Sequence, residues 1–238
     1  MNPRINPNPG ATSSFRYPLS DWQLGYQDKD SYDQSIAEAA YFQNGGDSVP
    51  CTYLICYNEL SLWIGLTTNT GSFIQLSVAW GDNGCSHWDD NAPSISYGYT
   101  GPNGGNQHLN NCPYGYTTNY HSYLLEIWLD AYVTGDWYVY VFDATAYSTL
   151  FDTQLTVPTG TYAVNQNNIG VILEGSASSV DGNWLSPNSQ GMSQLSYCDT
   201  SGCYNFGTIN DYGSPGSGGV PSNIGESFSS STSTFYKS

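Results

Sequence analysis

Glutamate is scarce in this chain, occurring only as Glu38, Glu59, Glu126, Glu174 and Glu226. Glu174 closes the apolar run Ile169-Gly-Val-Ile-Leu-Glu. A carboxyl in such a place is either a strand-end group meeting water or an acid whose proton affinity the apolar surroundings have raised. Gln75 lies mid-strand in Phe73-Ile74-Gln75-Leu76, where an amide is usually a surface group. Glu126, Trp128 and Asp130 alternate with Leu125, Ile127 and Leu129. On a strand this gives an acid–aromatic–acid row on one face, which is either a cleft lining or a solvated face.

Other chemistries are poorly supported. No Gly-x-Ser-x-Gly elbow occurs, and His87, His108 and His121 fall in or beside a long loop-like insert. Asp82, Asp89 and Asp90 match no calcium-loop spacing. The six cysteines, Cys51, Cys56, Cys85, Cys112, Cys198 and Cys203, contain no Cys-x-x-Cys pair, so three disulfides outweigh a zinc site. Fifteen connectivities are open; the local set 51–56, 85–112 and 198–203 is the one expected. Neither a metal nor a cofactor is expected.

The charge balance frames this chemistry. Twenty acids face four bases, for a formal net charge of -16, and no Lys or Arg occurs between Lys29 and Lys237. A phosphate backbone finds no counter-charge here, and an anionic membrane surface would repel the chain. No stretch is long and apolar enough to span a bilayer. Self-repulsion is strong at neutral pH and fades as the carboxylates protonate. The composition therefore reads as adaptation to an acidic exterior, against the simpler alternative of acidic solubility. The cysteines agree with an extracellular, oxidising compartment. Met1–Gly10 carries Pro and Asn where a secretion signal would carry an apolar run, so an export signal is either already removed or of another kind.

The elements that must position these residues are strands. Residues 1–20, with Pro3, Pro7, Pro9 and Pro18, read as an extended arm, 21–212 as one β-sandwich domain, and 213–238 as a Gly/Ser-rich loose tail or extended strap. Strands are expected over 31–43 (where Ile36–Ala40 could instead form a helical turn), 60–67, 72–80, 123–133, 137–144, 151–157 and 169–174. Within 72–80, Ile74, Leu76, Val78 and Trp80 share one face and Phe73, Gln75, Ser77 and Ala79 the other. Residues 81–122 read as a long insert, stapled by Cys85 and Cys112. The expected class is all-β: two antiparallel sheets packed as a jelly-roll or concanavalin-like sandwich, one with a concave outer face.

The order of these pieces resembles the eqolisin-type glutamic endopeptidases, the scytalidoglutamic peptidase family. The matching segments are Leu62-Trp63-Ile64-Gly65-Leu66, Phe73-Ile74-Gln75-Leu76, Leu124-Leu-Glu126-Ile-Trp128, Thr134-Gly135-Asp136, Gly170-Val-Ile-Leu-Glu174 and Asn205-Phe206-Gly207-Thr208-Ile209, spanning about Trp22 to Ile209. The resemblance implies an acid-active extracellular endopeptidase with Gln75 as oxyanion stabiliser and Glu174 as general base. Trp63, Glu126, Trp128 and Asp130 would then line the cleft for a polypeptide substrate. The family's strand carries two acids four residues apart, and Gly170 stands where the first would be; if that acid is the essential one, the chain is a non-catalytic relative. Asp21-Trp-Gln-Leu-Gly-Tyr26 echoes the family's N-terminal motif only loosely. Two further readings stand beside this one. One is a subunit of an extracellular filament or surface layer, self-assembling by strand donation from the arm. The other is a carbohydrate-binding sandwich that uses exposed Trp and Tyr beside Asn and Asp.

Overall fold

The computed structural model describes residues 22–28, 35–45, 59–81, 93–104, 107–110, 117–130, 136–156, 159–163, 169–175, 190–212 and 222–237. They form β1 (Trp22–Asp28), β2 (Ala37–Gln43), β3 (Glu59–Thr67), β4 (Phe73–Gly81), β5 (Ser94–Thr100), β6 (Gln107–Asn110), β7 (Ser122–Leu129) and β8 (Trp137–Asp143). These are followed by β9 (Ser148–Gln154), β10 (Ile169–Gly175), β11 (Gln190–Cys198), β12 (Cys203–Asn205), β13 (Ile209–Tyr212), β14 (Ile224–Ser229) and β15 (Thr232–Lys237). One antiparallel sheet runs β13-β1-β10-β3-β4-β5-β6 and the other β14-β15-β11-β2-β7-β8-β9, with β12 paired to β11. β3 lies over β2, β4 over β7 and β1 over β14. The result is an open β-sandwich.

Strict alternation builds the core. Leu62, Ile64 and Leu66 of β3 meet Ile74, Leu76 and Val78 of β4, all fully buried, and face Leu125, Ile127, Val139 and Val141 of the other sheet. Each such side chain contributes about 1.5–3 kcal/mol by leaving water. Trp137 is wholly buried, and its indole N–H donates to the Gly160 carbonyl at 2.9 Å. Where the β8–β9 hairpin turns, the Asp143 carboxylate accepts the Thr145 and Ala146 amides at 2.9 and 2.8 Å and meets His121 Nδ1 at 2.7 Å.

Several sequence expectations shift. The Ile36–Ala40 stretch is extended rather than helical, because Ala40 and Phe42 alternate into the core. The strand expected over 123–133 ends at Leu129, where the Asp130 amide turns to donate to the Asp136 carbonyl. β9 begins at Ser148, earlier than the expected 151. The insert over 81–122 contains two strands, β5 and β6. The segment read as a loose tail contains the β14–β15 hairpin, whose central Ser230 and Ser231 both take positive φ (50° and 60°). That is the backbone of a tight primed turn, which Asn-Gly usually signals. Cys198–Cys203 is a disulfide, as expected. The proposed 51–56 and 85–112 pairs, the arm 1–20, and Asp82, Asp89 and Asp90 lie outside the described residues. No helix is long and apolar enough to cross a membrane among the described residues.

Removing the indole donor while keeping an aromatic ring, Trp137→Phe, leaves the Gly160 carbonyl unsatisfied and a void beside it. An expected loss of about 2–4 kcal/mol follows, read as a lower urea midpoint with unchanged slope.

Candidate active site

Antiparallel register assembles one row on the outward face of the seven-stranded sheet. Gln27 pairs with Gly170, Gly170 with Gly65, Gly65 with Gln75, and Gln75 with Gly98. The next row is Gly25–Ile172–Trp63–Ser77–Ser96. Trp63 therefore shares the face of Gln75, and Ile64, Leu76 and Val171 point the other way into the core. Gln75 is 5% exposed and its Nε2 donates to Ser77 Oγ at 3.0 Å. Trp63 and Phe73 meet edge-on at 5.6 Å and 83°. Both rings close over Gly65, where a Cβ would lie 3.0 Å from each.

The same register fixes where a carboxylate could act. Position 170 is two strands from Gln75, about 10 Å across the sheet, and lies directly in its row. Glu174 lies four residues further along β10, in register with Gln23 and Ser61. Its backbone is therefore about 16 Å from that of Gln75, from about 10 Å across and about 13 Å along the strand. At position 170 a Cβ would sit 2.9 Å from the Tyr26 carbonyl and 3.1 Å from Gln27 Cγ. The β1 backbone has thus closed over the place where the family pattern puts an acid.

Glu126, Trp128 and Asp130 do not join this row. β7 belongs to the other sheet, and their alternation with buried Leu125 and Ile127 turns them to the opposite outside of the sandwich. There Trp128 stacks on Tyr138, centroids 4.5 Å apart and 13° from parallel. Glu126 pairs with Tyr140, and Tyr140 with Asp152. Burial, and then the Asp152 charge, raise the Glu126 carboxyl above the ordinary glutamate value. The whole two-sheet core separates this aromatic–acid face from Gln75 and Trp63.

Two inward glutamates went unassigned in the sequence. Glu38 follows the parity of Ala40 and Phe42 into the core and is fully buried, and neither of its carboxyl oxygens makes a hydrogen bond. Burial first, then the neighbouring charge of buried Asp28, raise it well above the ordinary value; the amides of Gly65 and Gly170 pull the other way without closing a bond. Glu38 thus reaches the back of the Gly65–Gly170 pair, on the side of the sheet that Gln75 does not occupy. Glu226 of β14 shares the inward face with Phe235 and is raised to about 7 by burial and then by Asp211 of β13. The alternation of Glu38 with Ala40 and Phe42 was a usable signal, hidden by the small residues around it. Nothing local in the sequence marked the approach of Glu226 to Asp211. Among the described residues no group of three His, Cys, Asp or Glu side chains could hold a metal ion.

No family model and no curated protein matches the chain. Solved structures do match its fold. Scytalido-glutamic peptidase with a transition state analog inhibitor superposes with a TM-score of 0.59 at 9% identity, covering 92% of this chain and 98% of that one. The same peptidase with a peptide-based transition state analog gives 0.57 at 8% identity and the same coverage. SCP-B, a member of the eqolisin family of peptidases in complex with the tripeptide Ala-Ile-His, gives 0.55 at 8%, again covering 92% and 98%. At such identities the likeness is one of fold.

The raised carboxyls set a pH dependence. A glutamate whose folded value exceeds its unfolded one holds its proton more tightly in the native state. Its contribution is therefore complete in acid and declines as pH rises. For Glu226 the decline runs from the ordinary 4.5 to about 7. Asp143 acts oppositely: burial alone would raise it, but the Ala146 amide, His121 and the Thr145 amide together lower it, so its contribution is lost only in strong acid. Thermal unfolding across pH is expected to show higher Tm near pH 4.5 than near 7, and Glu226→Gln should flatten that slope. A Tm rising toward neutrality would contradict it.

Proposed function

We propose that this chain is a structural subunit of an extracellular filament or surface layer, built on a glutamic-peptidase-like sandwich and without peptidase activity of its own. The observation that carries this is position 170. General acid–base catalysis needs a carboxylate within hydrogen-bond reach of the water or amide it serves, beside the oxyanion donor. The row containing Gln75 has glycine on both sides of it, at 65 and 98, and again at 170 two strands away, and the packing around Gly170 leaves no room for a Cβ without a shift. The Gln75 amide is buried and engaged with Ser77 rather than held out to a substrate. The Cys198–Cys203 disulfide supports an oxidising compartment, and the absence of Lys and Arg from 30 to 236 would leave that stretch of a surface subunit without cleavage points for trypsin-like enzymes.

A second reading is an acid endopeptidase with Gln75 as oxyanion donor and Glu174 as general base, and the peptidase fold of the solved neighbours favours it. Cleavage of a denatured protein from acidic to neutral pH, with pepstatin present, separates the two. No cleavage is expected at any pH from folded protein, wild type or Glu174→Gln alike. Acid-only cleavage that disappears in both Gln75→Ala and Glu174→Gln would replace the structural role with the enzymatic one.

A further inference from the structure

The two seams of the open sandwich are built differently. At one, the edge strands carry acids: half-buried Glu226 of β14 pairs with core-facing Phe235, and exposed Asp211 of β13, paired with Tyr26, lies near enough to act on it. Such charges on an edge strand oppose the addition of another strand. At the other seam, β9 is the last strand of the eight-stranded sheet among the described residues. Its sequence, Ser-Thr-Leu-Phe-Asp-Thr-Gln, holds no Lys, Arg or Pro. Phe151 points inward and meets Tyr97 of the other sheet at 5.9 Å. The single charge, Asp152, points outward in line with Tyr140 and Glu126. Among the described residues, this edge beyond the bulge at Leu150, over 151–154, therefore offers backbone groups, an apolar inner side and a negative outer side.

Resting on the structural role proposed above, we infer that β9 is the acceptor for the N-terminal arm of a second copy, residues 12–17 adding as a strand with Arg16 beside Asp152. The arm carries Arg4 and Arg16, two of the chain's four cations. In Thr12-Ser-Ser-Phe-Arg-Tyr17 the parity is decisive: with Arg16 opposite Asp152, Phe15 and Tyr17 fall opposite Phe151 and Thr153, on the inner side. The apolar edge is then extended by aromatics while Arg16 meets the acidic row of Asp152 and Glu126.

Distance excludes the chain's own arm. Tyr17 precedes Trp22, the first residue of β1, by five residues, and fully extended chain covers at most about 18 Å over that length. β1 is separated from β5 by three intervening strands, about 19 Å, and β9 lies beneath the β5 side of the other sheet, about 10 Å away. A strand beyond β9 is thus about 26 Å from Trp22. Only another copy can supply it, and each copy both gives an arm and offers an edge, which propagates a chain of subunits.

The test is sedimentation velocity of the full chain over a concentration series, at a pH where aspartate is ionised, with circular dichroism to confirm the fold. Arg16→Glu and Asp152→Arg should each raise the half-assembly concentration about tenfold. An equimolar mixture of the two, and the double variant, should return it toward wild type, since the reversed pair also attracts. Hydrogen exchange should show amides of residues 148–154 protected in assembled wild type and released in Arg16→Glu, a readout independent of how Asp152→Arg folds. Assembly unchanged in both single variants, with no protection of β9, overturns this docking and leaves a structural subunit joined elsewhere. A folded wild type that stays monomeric throughout overturns the structural role as well.

Discussion

A carboxyl can be carried into a protein core beside a cation or with a proton, and this chain has almost no cations. Four bases serve twenty acids, and none stands between Lys29 and Lys237. Glu38 nonetheless lies fully buried near the start of β2 with both oxygens lacking hydrogen bonds, and Glu226 closes one seam against Asp211. An ionised carboxylate in such surroundings costs several kcal/mol, so the group keeps its proton. The proton does here what Lys or Arg does elsewhere. Packing of the two sheets thus favours the protonated form of these carboxyls, and the extreme composition and the buried acids become one property rather than two.

The second constraint is parity. In a strand a shift of one residue moves a side chain to the other side of the sheet, and in a sandwich that means from the core to the outside. Trp63 and Gln75 share an outward face because Trp63 pairs with Ser77 and Gln75 with Gly65. Glu126 and Trp128 also point outward, but from the other sheet, so similar local patterns end on opposite sides of the molecule. On β10 the strand rise alone sets the backbones of 170 and 174 about 13 Å apart. A carboxylate at 174 and one at 170 are chemically alike and geometrically unrelated.

The sequence made the class of fold and most central strands legible, because Ile74, Leu76 and Val78, or Leu125 and Ile127, alternate without interruption. It hid the strands whose turns lack the usual residues. The β14–β15 hairpin turns on Ser230-Ser231, with Gly and Ser flanking it, and so read as a tail. β5 was obscured by Ser94, Ser96 and Gly98, small residues on one face beside Ile95, Tyr97 and Tyr99 on the other. Of the candidate site, the outward setting of Gln75 and the glycine at 170 were readable. The division of the four cleft residues between two faces was not, because it depends on which sheet β7 joins, and pairing order is a long-range property that no local pattern encodes.

Charge also decides how copies of such a chain can meet. With a net charge of -16, most approaches between two bodies are repulsive, and the repulsion is least where the few cations lie. A symmetric contact of β9 with β9 would bring Asp152 of both copies into one seam, beside both Glu126 carboxyls, with nothing positive between them. The guarded seam is no better, since Asp211 and Glu226 already repel within a single copy. What is left is an unlike contact, a cationic segment of one copy against an acidic edge of the next. Unlike contacts that do not close on themselves run on into filaments. In the proposed assembly, the same scarcity of bases favours an open, directional contact over a closed dimer.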